Sequence, residues 1–253
     1  MSPGEIVGVA ACCVVASATQ SLSSFGFAIV MVAVLPLLGV SIQDSAVLVT
    51  LLVVPNLAIA VWRLRREVSL RRIRWMLLGV PVGIPVGLYL LTGGPEWLLR
   101  GLLGVVLVFA AVEPLLRGSG GARPERRRWA FLAGAASGAL GAALSTGGPP
   151  IVMYFHRRQW SKELTKACVM LMFVGTVSMR LISYFAQIPF TGKELVTRDV
   201  VLKAALLSPA VVGGTLVGEW LFGWISQSGF RRVVAAMLAG CGLHQLARAA
   251  GVW

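Results

Sequence analysis

Hydroxyl-bearing and glycine-rich segments interrupt two of the longest apolar stretches in this chain. The first is Ser23-Ser24-Phe25-Gly26 and the second is Ser145-Thr146-Gly147-Gly148-Pro149-Pro150. Prolines suit the first turn of a helix, so a new helix is predicted after the second break, with Ser145 or Thr146 as its N-cap. The free amides and positive dipole end of such a helix start favour an anion. The two breaks therefore predict a site for a small anion.

Further polar residues accompany these breaks. Arg180 lies well inside an apolar stretch, and an arginine within a membrane is costly unless it faces a cavity, a partner or the interface. It is predicted to serve the substrate path, with snorkelling to the outer interface as the alternative. Asn56, the only asparagine, fits a site donor and an interhelical hydrogen bond equally well. The candidates for substrate binding are Gln20, Ser23, Ser24, Phe25, Gly26, Asn56, Ser145, Thr146, Gly147, Gly148, Pro149, Pro150, Tyr154 and Arg180.

Composition indicates the medium in which these residues lie. Of 253 residues, 57% are hydrophobic and 13% are charged, and the mean hydropathy is +0.82. Soluble domains carry about 25% charged residues. A net charge of +13 would suggest nucleic acid binding in a soluble protein, but here the basic residues cluster between apolar stretches, as they do beside membrane spans. The chain is therefore predicted to be an all-α polytopic membrane protein that does not bind nucleic acid.

Most of the apolar stretches have the length of one membrane-spanning helix, which needs about 20 residues. The two that contain the breaks, 6–40 and 129–155, are too long for one crossing. Each is interpreted as two half-helices of about 15 residues, reaching about 22 Å, that fold back as a re-entrant hairpin. A single kinked helix is the alternative. The remaining stretches are 46–62, 75–92, 97–116, 167–186, 200–222 and 233–252.

The distribution of positive charge favours the hairpins. If both broken stretches enter and leave on one side, the loops on that face carry 17 of the 23 Lys and Arg residues. If each broken stretch crosses the membrane once, the two faces differ less in their number of Lys and Arg residues. The positive-inside rule then places the basic loops in the cytoplasm and both termini outside, in the inner (plasma) membrane of the cell. These loops are 63–74, 117–128, 156–166 and 223–232.

An internal repeat underlies the two breaks. Residues 22–31 match residues 144–153 at six of ten positions, and a second match pairs Gly83 and Gly87 with Gly214 and Gly218. Each copy is a broken stretch followed by three spans, so an odd number of crossings inverts the second copy. Inverted repeats with broken helices are typical of secondary transporters. The predicted division is 1–116 for the first repeat, 117–128 for a basic cytoplasmic linker and 129–253 for the second repeat.

The sequence gives little support to other functional classes. The chain has no HExxH, GxSxG or P-loop motif, so it is not expected to be an enzyme. Its four cysteines have no CxxC or Cys/His spacing, so no metal site, disulfide framework or cofactor is expected. A membrane-embedded assembly or structural factor, or a permease for a different small metabolite, remains the alternative to an anion transporter.

Several motifs resemble those of the TauE/SafE family of membrane permeases, the sulfite-exporter-like proteins. They are Ser24-Phe25-Gly26-Phe27-Ala28, Trp62-Arg63-Leu64-Arg65-Arg66 after the span with Asn56, Gly147-Gly148-Pro149-Pro150-Ile151-Val152-Met153-Tyr154, and Trp160-Ser161-Lys162-Glu163. Many members carry several glycines in the first motif, where this chain has Gly26 alone. The resemblance implies transport of sulfite, sulfonates or related small organic anions, often outward from the cytoplasm.

The expected mechanism is alternating access around a site between the two broken stretches. The expected partners are a small anionic substrate and the lipid bilayer. A coupling ion, either a proton or sodium, and a homodimer are both compatible with the pattern, which specifies neither.

Overall fold

The computed structural model describes residues 3–23, 26–64, 70–112, 126–156, 160, 162–186, 195–221 and 227–251. Ser24, Phe25 and the side chain of Ser23 lie outside the described residues, as do most of the predicted linker 117–128 and parts of the other basic loops. The helices within these ranges are α1 (Pro3–Ser23), α2 (Phe27–Val34), α3 (Ile42–Leu64), α4 (Leu70–Gly93), α5 (Glu96–Val112), α6 (Arg127–Leu144), α7 (Gly148–His156), α8 (Lys162–Ala186), α9 (Arg198–Leu221) and α10 (Gln227–Ala249).

Helices account for all the regular secondary structure of the described residues, which confirms the predicted all-helical class. Four helices are long and apolar enough to cross a membrane, namely α3, α4, α8 and α9. Two shorter apolar helical segments are Ile6–Ser21 and Phe27–Leu38, the second of which includes a 3₁₀ turn at Leu35–Leu38. Helix boundaries follow the apolar stretches of the sequence, and each long helix begins a few polar residues earlier.

The two broken stretches divide unequally. α1 has 21 residues and α6 has 18, which corresponds to about 31 Å and about 27 Å. The helices after the breaks are short, with 8 residues in α2 and 9 in α7. The expectation of two half-helices of about 15 residues was therefore wrong. In the first stretch α1 begins early, at Pro3, and α2 gives way to a 3₁₀ turn at Leu35, whereas in the second the break lies beyond the middle of the stretch.

Ser145 ends α6 and does not begin α7. It is the C-cap of α6, with φ 57° and ψ 8°, and its amide bonds to Gly141 O at 2.9 Å. This 5→1 bond to a residue with positive φ is the αL motif of a helix end. The next amide, from Thr146, bonds to Leu140 O at 3.4 Å. Because α7 begins at Gly148, Gly147 is its N-cap, and the predicted N-cap role of Ser145 or Thr146 was wrong. The two prolines lie in the first turn of α7, as predicted.

Glycines allow α4 and α6 to form the most extensive helix pair of the described residues. A methyl group added at Gly83 would overlap the backbone carbonyl of Ala135, and one at Gly138 would overlap that of Val80. The contacts advance in the same direction along both helices, so α4 and α6 run parallel. The other glycines of this contact are Gly79, Gly87 and Gly134.

A second parallel pair, α1 with α9, has the same construction. A side chain at Gly214 would overlap the backbone of Val14, and one at Gly218 would overlap that of Ala18. α5 and α10 also pack closely at glycines, since a side chain at Gly104 would meet the Gly242 carbonyl at 2.9 Å. The remaining contacts include α3 with α8, α3 with α9 and α4 with α8.

The face of α4 that points away from the bundle exposes large apolar side chains. Leu78, Val82 and Val86 are each more than half exposed, while the glycines one position later contact α6. Exposed large apolar side chains recur on other helices, including Ile182 on α8 and Leu206 on α9. An outer surface of this kind is expected for helices in contact with lipid acyl chains.

Arginine and tryptophan side chains locate the ends of α4, α6 and α7. The Arg72 guanidinium lies 4.9 Å from the Trp160 ring centroid, and that of Arg127 lies 5.1 Å from the Trp75 ring centroid. Phe155, near the end of α7, packs on Trp160 at 5.6 Å. The starts of α4 and α6 and the end of α7 therefore lie together, at what we call the arginine-rich end.

We expect the glycine contact of α4 and α6 to determine stability. Replacing Gly83 with alanine should lower the free energy of unfolding by about 1–3 kcal/mol, because the added methyl group meets backbone atoms that cannot rotate away. Thermal unfolding of the purified protein in detergent would measure the change. The matched control is Gly213→Ala on α9, where nothing lies within 4 Å of the added carbon. A Gly83→Ala protein as stable as the Gly213→Ala protein would contradict the prediction.

Candidate functional site

At the first break, side chains from three helices satisfy the start of α2. Gln20 Oε1 accepts a hydrogen bond from the Phe27 amide at 3.1 Å, and Gln20 Nε2 donates to Asn56 Oδ1 at 3.1 Å. Asn56 Nδ2 in turn donates to Thr215 Oγ1 at 2.8 Å. Gly26 adopts φ 131°, which a side chain would strain, and so permits the sharp turn into α2. The first amide of α2 is therefore occupied by the protein itself.

Further contacts tie this break to the second half of the chain. Ser21 Oγ donates to Thr215 O at 3.2 Å, and Lys166 Nζ donates to Ser21 O at 3.3 Å. Lys166 also pairs with Glu219 at 3.4 Å. Lys166 lies near the start of α8 and Glu219 lies in the last turn of α9. The C-terminal end of α1 is therefore close to both of these helix ends.

At the second break, hydroxyl groups connect the chain to α3 and α8. Ser145 Oγ lies 2.5 Å from Ala46 O and 2.9 Å from Thr50 Oγ1. Tyr184 donates its hydroxyl proton to Ala142 O at 2.9 Å. The Tyr184 bond satisfies a carbonyl oxygen that the end of α6 leaves without an intrahelical partner. The contacts with α3 hold Ser145 in its left-handed conformation, which for the described residues is the only positive φ outside glycine.

Arg180 is the charged group of the second break. Its side chain is buried, with the residue 5% exposed, and Nη1 donates to Gly141 O at 2.6 Å. Nε has no hydrogen-bond partner among the described residues, whose ion pairs do not include Arg180. A guanidinium keeps its positive charge in proteins. The site therefore contains a buried cation whose charge the described residues do not balance.

Gly141 lies between this cation and the start of α7. A Cβ atom on Gly141 would lie 3.2 Å from Arg180 Nη1 and 3.9 Å from the Gly147 amide nitrogen, so a side chain at this position would crowd the guanidinium. The guanidinium and the start of α7 therefore both lie close to Gly141. Thr146 is fully buried here, and its Oγ1 has no partner among the described residues.

Gly147 has a packing role. A side chain on Gly147 would lie 2.5 Å from Ser137 O and 2.9 Å from Ser137 Oγ, and Ser137 Oγ donates to Gly147 O at 2.7 Å. The absent side chain therefore lets α7 begin close to α6. Gly148, the first residue of α7, is buried.

α3 brings the two breaks together. Thr50 contacts the second break and Asn56 contacts the first. Six residues separate them along the helix, a rise of about 9 Å. Both positions lie near the middle of α3, so the two breaks lie on either side of its midpoint.

The structure sorts the predicted residues into two clusters. Gln20, Gly26 and Asn56 belong to the first, and Asn56 acts as an interhelical bridge. The second contains Ser145, Thr146, Gly147, Gly148, Pro149, Pro150 and Arg180. Tyr154 lies about 9 Å further along α7, where its ring contacts Phe155 edge-on at 5.5 Å.

Several site residues were not predicted from the sequence. They are Thr50, Ser137, Gly141, Tyr184 and Thr215. Thr50, Tyr184 and Thr215 could have been predicted as site residues, since each is a polar residue inside an apolar stretch. Within the described ranges, no three His, Cys, Asp or Glu side chains are grouped to hold a metal ion.

Comparisons with known proteins agree on one family. The sequence model of the family described as "Sulfite exporter TauE/SafE" matches residues 9–244. The protein described as "Probable sulfite/organosulfonate exporter TauE" from Cupriavidus necator is 24% identical over 238 residues, which cover 92% of this chain and 91% of that protein. No solved structure matches the chain. Because the family match extends over nearly the whole chain, the protein belongs to the TauE/SafE sulfite exporter family.

Proposed function

We propose that this protein is a secondary transporter that binds a small anion at the second break, between Arg180 and the start of α7. The observation that carries the proposal is the buried guanidinium of Arg180, which lacks a carboxylate partner among the described residues. An uncompensated charge in a membrane interior is costly and marks substrate pathways. A bound anion would balance that charge.

The surroundings of Arg180 suit such a ligand. The Thr146 hydroxyl is buried without a partner among the described residues and is available to donate to an oxygen of the anion. The start of α7 adds backbone amides, although Pro149 and Pro150 carry none. A compact oxyanion such as sulfite or a small sulfonate matches these donors in charge and size, and the relative from Cupriavidus necator is named for such substrates. We propose further that the protein exports this anion from the cytoplasm.

Helix pairing supports an inverted repeat of α1–α5 and α6–α10. Exchanging the two sets converts the α1 and α9 pair into the α6 and α4 pair, and both pairs are parallel and packed at glycines. The same exchange leaves the α3 and α8 pair and the α5 and α10 pair unchanged. A pseudo-two-fold relation of this kind provides the two equivalent arrangements that alternating access requires.

The arginine-rich end supports the proposed orientation. α6 starts and α7 finishes at this end, as expected for a re-entrant hairpin. Arg71, Arg72 and Arg74 at the start of α4 are exposed there, as are the arginines at the start of α6. We therefore place this end in the cytoplasm and both termini outside, in a multi-pass protein of the inner (plasma) membrane.

Replacing Arg180 with glutamine should abolish anion flux in proteoliposomes and weaken anion binding at least about tenfold, because a charged hydrogen bond is lost. Sulfite flux and the thermal shift caused by sulfite would measure both effects. The control is Lys203→Gln, which removes an exposed i,i+4 ion pair with Asp199 and should change neither quantity. Unchanged flux in a folded Arg180→Gln protein would remove Arg180 from the site.

Thr146→Val should affect stability and binding in opposite directions. Removing a buried hydroxyl without a partner should raise the free energy of unfolding of the anion-free protein by about 1–2 kcal/mol. It should also weaken anion binding, because a donor to the ligand is lost. Thr92→Val is the control, since that hydroxyl already donates to Leu88 O at 2.9 Å. If Thr146→Val destabilises the protein and leaves binding intact, the hydroxyl is not a ligand donor.

Single cysteines should report the orientation. In a background where Cys12, Cys13, Cys168 and Cys241 are replaced, Leu70→Cys and Arg126→Cys should be inaccessible to an impermeant maleimide in intact cells. Arg198→Cys should react, because α9 starts at the end opposite to the one where Glu219 meets Lys166. Labelling of Arg126→Cys and Arg158→Cys, which flank the second broken stretch, from opposite sides would exclude the re-entrant hairpin.

A further inference from the structure

We infer that the anion site balances a single negative charge, so that the protein selects singly charged oxyanions over doubly charged ones of the same size. The inference rests on the proposed function, because it concerns the charge of the anion bound beside Arg180. It depends on the fixed charges and helix ends around both breaks.

Arg180 supplies the one side-chain charge at the second break. The helices that pack most extensively against α8 are α3, α4, α6 and α7, and α9 reaches α8 through the pair of Glu219 with Lys166. The carboxylates of these helices and of α8 itself are Asp44, Glu163, Asp199 and Glu219. Asp44 is exposed, Asp199 pairs with Lys203, and position 163 is about 26 Å from position 180 along α8. The ion pairs of the described residues therefore include none that neutralises the guanidinium.

The other positively charged side chains of α4, α6 and α7 are also far from Arg180. The arginines of α4 and α6 lie in the first turns of those helices, at the arginine-rich end. Arg127 is about 21 Å along α6 from Gly141, whose carbonyl accepts the bond from Arg180. His156 ends α7, about 12 Å from its start at Gly148. Arg180 therefore acts as the single cation beside Gly141 and the start of α7.

The two helix ends at this break oppose each other. α6 ends here with carbonyl oxygens, including Gly141 O and Ala142 O, and α7 begins here with amides. The C-terminal end of a helix dipole is equivalent to about −0.5 charge and the N-terminal end to about +0.5. The two ends cancel to first order, which leaves the net charge of the second break close to that of Arg180 alone.

The first break adds no net charge. Its contacts are made by the neutral side chains of Gln20, Asn56 and Thr215. Lys166, which reaches Ser21 O, is paired with Glu219 at 3.4 Å. The two breaks together therefore present one positive charge to a substrate.

This charge balance sets the selectivity. A singly charged anion makes the site neutral, whereas a doubly charged anion leaves one negative charge in a region of low dielectric constant without a counter-ion. The neutral complex is favoured because an unpaired charge is poorly solvated there. If the substrate is sulfite, the bound species is then hydrogensulfite, HSO₃⁻.

Methanesulfonate and sulfate provide a matched test, because both are compact tetrahedral sulfur oxyanions that differ by one charge. Titration calorimetry of the full-length protein in detergent, at constant pH and ionic strength, should give a dissociation constant at least about tenfold lower for methanesulfonate than for sulfate. Arg180→Gln should remove the heat of methanesulfonate binding. A heat that persists in this variant would place the bound anion elsewhere and overturn the inference.

The remaining outcomes separate the inference from the proposed function. Sulfate binding that equals or exceeds methanesulfonate binding, and that is lost in Arg180→Gln, would overturn the single-charge inference and leave the anion site standing. Absence of binding for both anions and for sulfite would overturn the proposed function as well.

Discussion

Backbone groups inside a hydrocarbon layer must find partners within the protein, because no water is present to supply them. The two breaks in this chain are the places where this requirement is hardest to meet. At the first, Gln20 bonds the Phe27 amide, and at the second, Tyr184 and Ser145 bond carbonyl oxygens of neighbouring helices. The partner side chains come from other helices, so the breaks hold their conformation only within the assembled bundle.

Close helix packing makes these contacts reachable. α4 and α6 approach through Gly83 and Gly138, and α1 and α9 through Gly214, at positions where any side chain would overlap the opposite backbone. In lipid, small residues of this kind let helix backbones meet and gain van der Waals contact. The short distance between α1 and α9 is what lets the Ser21 hydroxyl reach the Thr215 carbonyl. The close packing of the helices therefore determines the geometry of the two breaks.

The sequence was sufficient for the helices and for the positions of the breaks, because apolar length, glycine and proline act locally. The predicted N-cap at the second break was wrong, because the choice between Ser145 and Gly147 depends on the left-handed turn that ends α6 and on contacts with α3. The role of Asn56 could not be decided either, since its partners are 36 and 159 residues away in the chain. Long-range pairing of this kind leaves no periodic trace in a single sequence.

The similarity of residues 22–31 and 144–153 suggested two equivalent breaks, yet their chemistry differs. Gln20 fills the first helix start with a carboxamide oxygen, a neutral acceptor in the place where an anion would lie. At the second, Arg180 bonds one carbonyl and leaves Nε without a partner among the described residues. A symmetric pair of buried cations would repel each other. The two breaks therefore share a backbone pattern while the buried charge is confined to the second, which is the break where we propose that an anion binds.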